Sequence, residues 1–197
     1  MKTDKLKEKF AKVALPMAAE LKDFIKENGN HVIGSYTIEQ VYSGMKGMIG
    51  MVTETSKLDP EEGIRFRGYS IPELREKLPK APGDTEPLPE GIFYLMLIGE
   101  IPTDEEATYV SNQWARRSNV PKHVFDMLDK LPANTHPMTQ FSMAVMALQT
   151  ESVFASAYRK GLSKKEYWDP MYEDVMNLIA RLPRVAAYIY RRVYKNG

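Results

Sequence analysis

At 197 residues, with 43% hydrophobic and 27% charged side chains, the chain can bury a sizeable core, and its composition excludes an intrinsically disordered segment. A formal net charge of +1 gives no footing for nucleic acid or an anionic membrane as a partner. Cysteine is absent, which excludes disulfides, thiolate metal sites and a cysteine nucleophile, and the longest apolar run, Ile92 to Ile98, falls far short of the ~18 residues that a membrane span requires.

Met1 to Lys5 lacks the apolar core of a signal peptide, and its mixed acids and bases do not read as a transit peptide. A long helix is expected from about Lys5 to Glu27, disturbed at Pro16 and closed near Gly29, a residue type that ends helices. Four segments start with Ser or Thr followed three residues later by Glu or Gln, so that each side chain can bond the other's free backbone N–H. They are Thr37 with Gln40, Ser70 with Glu73, Thr103 with Glu106 and Ser163 with Glu166, and each predicts a helix start.

A short helix then covers about Ile38 to Gly44. A hairpin is expected over about 50–69, because Asp59-Pro60-Glu61-Glu62-Gly63 supplies turn chemistry and Ile64-Arg65-Phe66-Arg67 alternates with period two. Further helices are predicted over Pro72 to Leu78, Glu90 to Ile98, Asp104 to Ser118, Lys122 to Leu131, Pro137 to Glu151, Lys165 to Leu182 and Arg184 to Lys195. The proline-rich run Lys80 to Pro89 reads as a loop. The fold class is mainly α, multi-helical, with one small antiparallel β-hairpin. Within it, the helix "TQFSMAVMALQT" is apolar on every side of its wheel, so it must be buried all round, either by neighbouring helices or by a second subunit.

The candidate chemistry is sparse. His31, His123 and His136 show no metal-ligand spacing, so no metal site is expected. His123 reads as solvated, and His136 either satisfies local backbone or acts as a general acid or base. "GMKGMIG" matches neither a dinucleotide nor a phosphate-loop fingerprint. It is a flexible connection, or it presents Lys46 to a phosphate beside free backbone N–H groups. Arg65 and Arg67, on one face of a strand, either clamp an anion or pair with surface acids such as Glu54, Glu61 and Glu62.

Four long stretches, "GMKGMIGMVTETSKLDPEEGIRFRGYSIPE", "PLPEGIFYLMLIGEIPT", "LPANTHPMTQFSMAVMALQTES" and "KKEYWDPMYEDVMNLIARLPRVAAYIYR", resemble successive segments of the eukaryotic, mitochondrial-type citrate synthases, from about Leu6 to Gly197. The resemblance implies that residues 1–197 are the N-terminal part of the helical large domain, without the catalytic small domain. It implies condensation of acetyl-CoA with oxaloacetate to citrate and CoA, with no permanently bound cofactor, in the mitochondrial matrix. The family's catalytic histidines and aspartate lie in its later half, and no residue here matches them, so this chain alone is expected to be inactive. The alternative is a non-catalytic structural or assembly protein built on the same scaffold. Lys46 and Lys164 match family positions that contact CoA; they are Lys where animal enzymes carry Arg, which keeps the charge and loses the planar bidentate geometry. The family further implies a homodimer through helices at about 137–151 and 165–195.

Overall fold

A computed structural model describes residues 4–195. The chain divides into two compact units, residues 1–107 and 108–197, with the division inside one helix, Asp104–Arg117.

The first unit opens with helix α1, Lys5–Asn28, whose N-cap Asp4 accepts from the backbone N–H groups of Leu6 and Lys7 at 3.1 and 3.3 Å. Pro16 lies inside α1 without ending it, and Gly29 closes the helix where expected, in right-handed geometry (φ −61°). The first turns of α1 are anchored: Leu6 is buried, and Lys9 Nζ donates to Tyr94 Oη at 2.6 Å and pairs with Glu100 and Glu106 at 2.9 and 3.1 Å. A short helix α2, Ile38–Tyr42, follows, started by the reciprocal Thr37 and Gln40 bonds.

The β element is smaller at its start and larger at its end than expected. Strands β1 (Ser56–Asp59), β2 (Gly63–Phe66) and β3 (Tyr69–Ser70) form a three-stranded antiparallel sheet in the order β1-β2-β3, so residues 50–55 are not strand and a third strand closes the ribbon. Register is set by the turn. Asp59 Oδ1 accepts from the N–H groups of Glu61 and Glu62 at 2.9 and 3.0 Å, and Gly63 takes φ +94°, which pairs Leu58 with Ile64 and Lys57 with Arg65. Helix α3, Ile71–Lys77, starts on the Ser70 and Glu73 capping box. Helix α4, Pro89–Ile98, brings Leu95 against Leu74 and Leu78, with Phe66, Tyr69, Ile92 and Ile101 packed around them. Helix α5, Asp104–Arg117, begins with the third reciprocal cap, Thr103 with Glu106.

In the second unit, α6 (Lys122–Asp129), α7 (Pro137–Ala147) and α9 (Trp168–Tyr194) build the core, while α8 (Val153–Arg159) lies between α7 and α9 in the chain. Each of three segments contributes a pair spaced i, i+4: Val124 with Leu128, Ala144 with Leu148, and Val185 with Ile189. That spacing puts both members on one helical face, and all six are buried in one cluster. Full burial of one such Leu or Val is worth roughly 1.5–3 kcal/mol relative to exposure.

Four expectations are corrected here. The segment expected as one helix to Glu151 tightens into a 3-10 turn, Leu148–Glu151. Helix α8 was not expected, because its N-cap Ser152, whose Oγ accepts from Ala155 N at 2.9 Å, is not followed by Glu or Gln three residues later. Its start is held as well by Asp174 of α9, whose carboxylate accepts from Val153 N and Phe154 N at 2.7 and 3.1 Å and from Ser152 Oγ at 2.6 Å. The Ser163 and Glu166 box does not form; a 3-10 turn, Lys164–Glu166, stands there with no side-chain cap. Finally, α9 runs through Pro183 as one helix, since buried Ala180 and Val185 on either side of the proline hold the backbone in line.

Candidate functional site

Two lysines were singled out as phosphate contacts, one in each unit. Lys46 is exposed on the turn after α2, where Gly44, Met45 and Gly47 all take positive φ (75°, 66° and 73°). Glycine adopts that geometry without steric cost, which is why the chain doubles back tightly here. The turn is tied to its helix: Gln40, already in the capping box, donates from Nε2 to the Lys46 carbonyl at 3.4 Å, and Met45 N donates to Gln40 O at 2.9 Å. Tyr36 Oη closes the loop on Ile49 O at 2.9 Å. The backbone of Lys46 is therefore positioned while its ammonium stays in water.

Lys164 is exposed on the 3-10 turn before α9. The turn is buttressed by three aromatic rings: Phe154, Tyr158 and Tyr167 stand with centroids 5.0 to 6.0 Å apart, the Phe154 and Tyr167 planes at 85°. Both lysines thus sit exposed on short turns whose neighbouring residues are braced.

The other candidates take structural work. Arg67 is not on the strand with Arg65; it takes φ +49° in the turn between β2 and β3 and donates to Met96 O at 2.9 Å. Arg65 pairs with Glu62, donates to Gly68 O at 2.8 Å and lies 3.5 Å from Glu73. The ion pair raises the affinity of the Arg65 guanidinium for its proton and holds the Glu62 carboxyl below the usual range. The two arginines therefore form no anion clamp.

His136 is the N-cap of α7, its Nδ1 accepting from Met138 N at 3.2 Å. His123 is exposed, as expected, but its Nε2 lies 3.1 Å from Ala147 O and 3.4 Å from Thr150 Oγ1, at the carboxyl end of α7. His31 lies in the exposed stretch after α1. Among the described residues no group of three or more His, Asp or Glu side chains could hold a metal ion, and no helix is long and apolar enough to cross a membrane.

Two features escaped the sequence reading. Gln140 is fully buried; its Nε2 donates to Thr135 O at 2.7 Å and its Oε1 accepts from Arg192 Nη1 at 2.9 Å, while Arg192 Nη2 also reaches Leu131 O at 2.5 Å. Arg181 lines a cavity of about 160 Å³ with Leu148, Glu151, Asp174 and Asn177. A buried amide has no pattern of its own in a sequence; its partners lie up to 52 residues away.

The model of one protein family, described as "Citrate synthase, C-terminal domain", matches residues 44–197. The chain belongs to the citrate synthase family. It is 54% identical over 192 residues to the mitochondrial citrate synthase of Xiphias gladius and 55% identical over 192 residues to that of Saccharomyces cerevisiae, covering 98% of this chain and 41% and 40% of the relatives. It is 53% identical over 194 residues to the mitochondrial 2-methylcitrate synthase of Yarrowia lipolytica, covering 42% of that protein. Among solved structures, the citrate synthase of Pyrobaculum aerophilum matches with a TM-score of 0.62 at 25% identity, over 78% of this chain and 36% of that one. The chain thus spans about two fifths of the length of the citrate synthases it matches, and the helical architecture with its small antiparallel sheet is that of the family.

Proposed function

We propose that this chain supplies part of the helical scaffold of a mitochondrial citrate synthase, which condenses acetyl-CoA with oxaloacetate to give citrate and CoA. The observation that carries the proposal is the 53–55% identity to mitochondrial citrate and 2-methylcitrate synthases across 98% of the chain. In this reading the chain alone is inactive. Its histidines cap helix ends or lie in an exposed stretch, and acetyl enolisation and carbonyl polarisation need acid and base groups from the remainder of the polypeptide. Lys46 and Lys164 offer their charges to CoA phosphates from braced turns. Helices α7 and α9 meet their counterparts in a second copy: Met146 on α7 is 76% exposed and Val175 on α9 is 43% exposed, which leaves apolar surface for a homodimer to cover.

The test mixes the purified chain with the portion of a citrate synthase that it lacks. Having no cysteine, the chain gives no background to a thiol reagent that reports released CoA. The expected result is no CoA release from the chain alone and synthase activity after mixing. In the completed enzyme, replacing Lys46 and Lys164 together by Ala should raise the KM for acetyl-CoA. Activity of the chain alone, or an unchanged KM, would contradict the corresponding part of the reading. Because the 53% identity to a 2-methylcitrate synthase lies so near the 53–55% to citrate synthases, propionyl-CoA belongs beside acetyl-CoA in the same assay.

A further inference from the structure

We propose that Asn28, immediately ahead of Gly29, is a site of spontaneous deamidation whose rate is set by the closed end of helix α1. Asn28 is the last residue of α1 and is half-buried, and Gly29 beyond it is exposed. Among the described residues no other asparagine precedes a glycine. In this reaction the backbone nitrogen of residue 29 attacks the side-chain carbonyl carbon Cγ of Asn28. A side chain on residue 29 would shield that nitrogen, whereas glycine leaves it open and lets the backbone turn into a ring. The N–Cγ bond forms, the Cγ–Nδ2 bond breaks, and Nδ2 leaves as ammonia with the proton given up by the Gly29 nitrogen. Water then opens the five-membered succinimide at either carbonyl, giving aspartate or isoaspartate. One water is taken up and one ammonia released, with no change of oxidation state.

The folded helix end restrains both reacting groups. Gly29 N donates to Ile25 O at 2.8 Å, and Asn28 Nδ2 donates to Phe24 O at 3.0 Å. Nucleophile and leaving amide are thus each committed to the carbonyl of the preceding turn. The same closure favours glycine: a Cβ on residue 29 would lie 2.6 Å from Ile25 O, closer than a side chain tolerates. The tight cap therefore selects the residue that makes its neighbour labile. Local bonds are the main restraint, since Leu21, Phe24 and Ile25 are 53%, 62% and 57% exposed and little tertiary packing holds the last turns. At about fivefold for each hydrogen bond, folding should slow the reaction about 25-fold relative to the unfolded chain. The change also feeds back on the helix. The product carboxylate stands at the negative pole of α1 and has no amide proton for Phe24 O, so the last turn loosens once Asn28 has reacted.

The experiment incubates the full chain at neutral pH, native and in guanidinium chloride, and follows its tryptic peptides by mass spectrometry. Cleavage after Lys26 and Lys46 isolates residues 27–46, which hold Asn28 and Asn30. Fragmentation assigns the gain of one mass unit to one or the other, and Asn28→Gln should abolish it. Asn196-Gly197, outside the described residues, falls in a separate fragment. Asn28 should convert in the native chain about 25-fold more slowly than in the unfolded one. Ile25→Gly leaves the dipeptide untouched and weakens the last turn, so it should speed the native reaction about threefold while leaving the unfolded rate unchanged. Asn28→Asp, which is the aspartate product, should raise amide hydrogen exchange over residues 25–29 about tenfold, from the lost bond and the added charge together.

A native chain that stays intact at Asn28 while the unfolded chain converts would overturn the site. Equal native and unfolded rates, or an Ile25→Gly rate no faster than the original, would show that the helix end sets nothing. Conversion at Asn30 with Asn28 intact would refute the assignment, and unchanged exchange in Asn28→Asp would refute the loosening of the last turn.

Discussion

Gln140 offers a sharp test of how the second unit is held together. It is fully buried, donating to Thr135 O at 2.7 Å and accepting from Arg192 at 2.9 Å, so it joins the start of α7 to the end of α9. Gln140→Met keeps the volume and removes both bonds. The neutral bond is worth about 1 kcal/mol and the charge-assisted one about 1.5–3 kcal/mol, and the abandoned Thr135 carbonyl is left without its donor. The expected loss is therefore about 3 kcal/mol. Gln140→Ala loses the same bonds and leaves a small cavity besides, for about 1–2 kcal/mol more.

The assay is urea unfolding at fixed protein concentration, followed by tryptophan fluorescence. Both tryptophans, Trp114 and Trp168, lie in the second unit, so the signal reports the unit that contains the substitution. A Met variant with the original midpoint would refute the argument, because it would mean that the bridge contributes nothing net. A Met variant as damaged as the Ala variant would instead show that the cavity closes without cost.

Ser70→Ala should cost about 1 kcal/mol in chemical unfolding, since Ser70 and Glu73 bond each other's backbone, whereas Ser163→Ala should cost next to nothing because Ser163 makes no cap bond. Pro183→Ala should raise the thermal midpoint: the proline is exposed, so no packing is lost, and a helix interior gains up to about 3 kcal/mol when proline is replaced. Burial pushes the Glu106 carboxyl up, but bonds from Tyr94, Thr103 and Lys9 outweigh it and hold the group below the ordinary range. A lowered carboxyl contributes stability that is present above its unfolded pKa of ~4.3 and is lost as pH falls through the folded value. Glu106→Gln should therefore be less stable than the original at pH ~7, with the gap in urea midpoint closing as pH falls below ~4; a gap independent of pH would contradict the assignment.

Much of the helical outline could be read directly because its causes are local. Thr37 with Gln40, Ser70 with Glu73 and Thr103 with Glu106 each close a bond within one turn, and the turn Asp59 to Gly63 carries its own register. Where the deciding partner is distant, sequence reasoning failed. The start of helix α8 is shared between its own Ser152 and the distant Asp174, the path through Pro183 depends on packing beside it, and Arg67 was diverted from the expected clamp by the Met96 carbonyl 29 residues away. The candidate site divides in the same way. Lys46 was offered by its glycine-flanked turn and by resemblance, and Lys164 by resemblance alone, while the contacts that brace their turns, through Gln40 and through the Phe154, Tyr158 and Tyr167 rings, came only from the fold.

The sequence by itself determined the helical class, the family and the starts of most helices, since composition, i to i+3 capping and aligned identity are all properties of the linear chain. Tertiary structure decided that the apolar helix α7 is not enclosed by its own chain, with Met138 and Met146 left 62% and 76% exposed, and that Arg181 and Glu151 share one cavity without using each other. Exposure and unpaired charge are properties of the folded surface, and no one-dimensional pattern records which face of a helix its neighbours fail to cover.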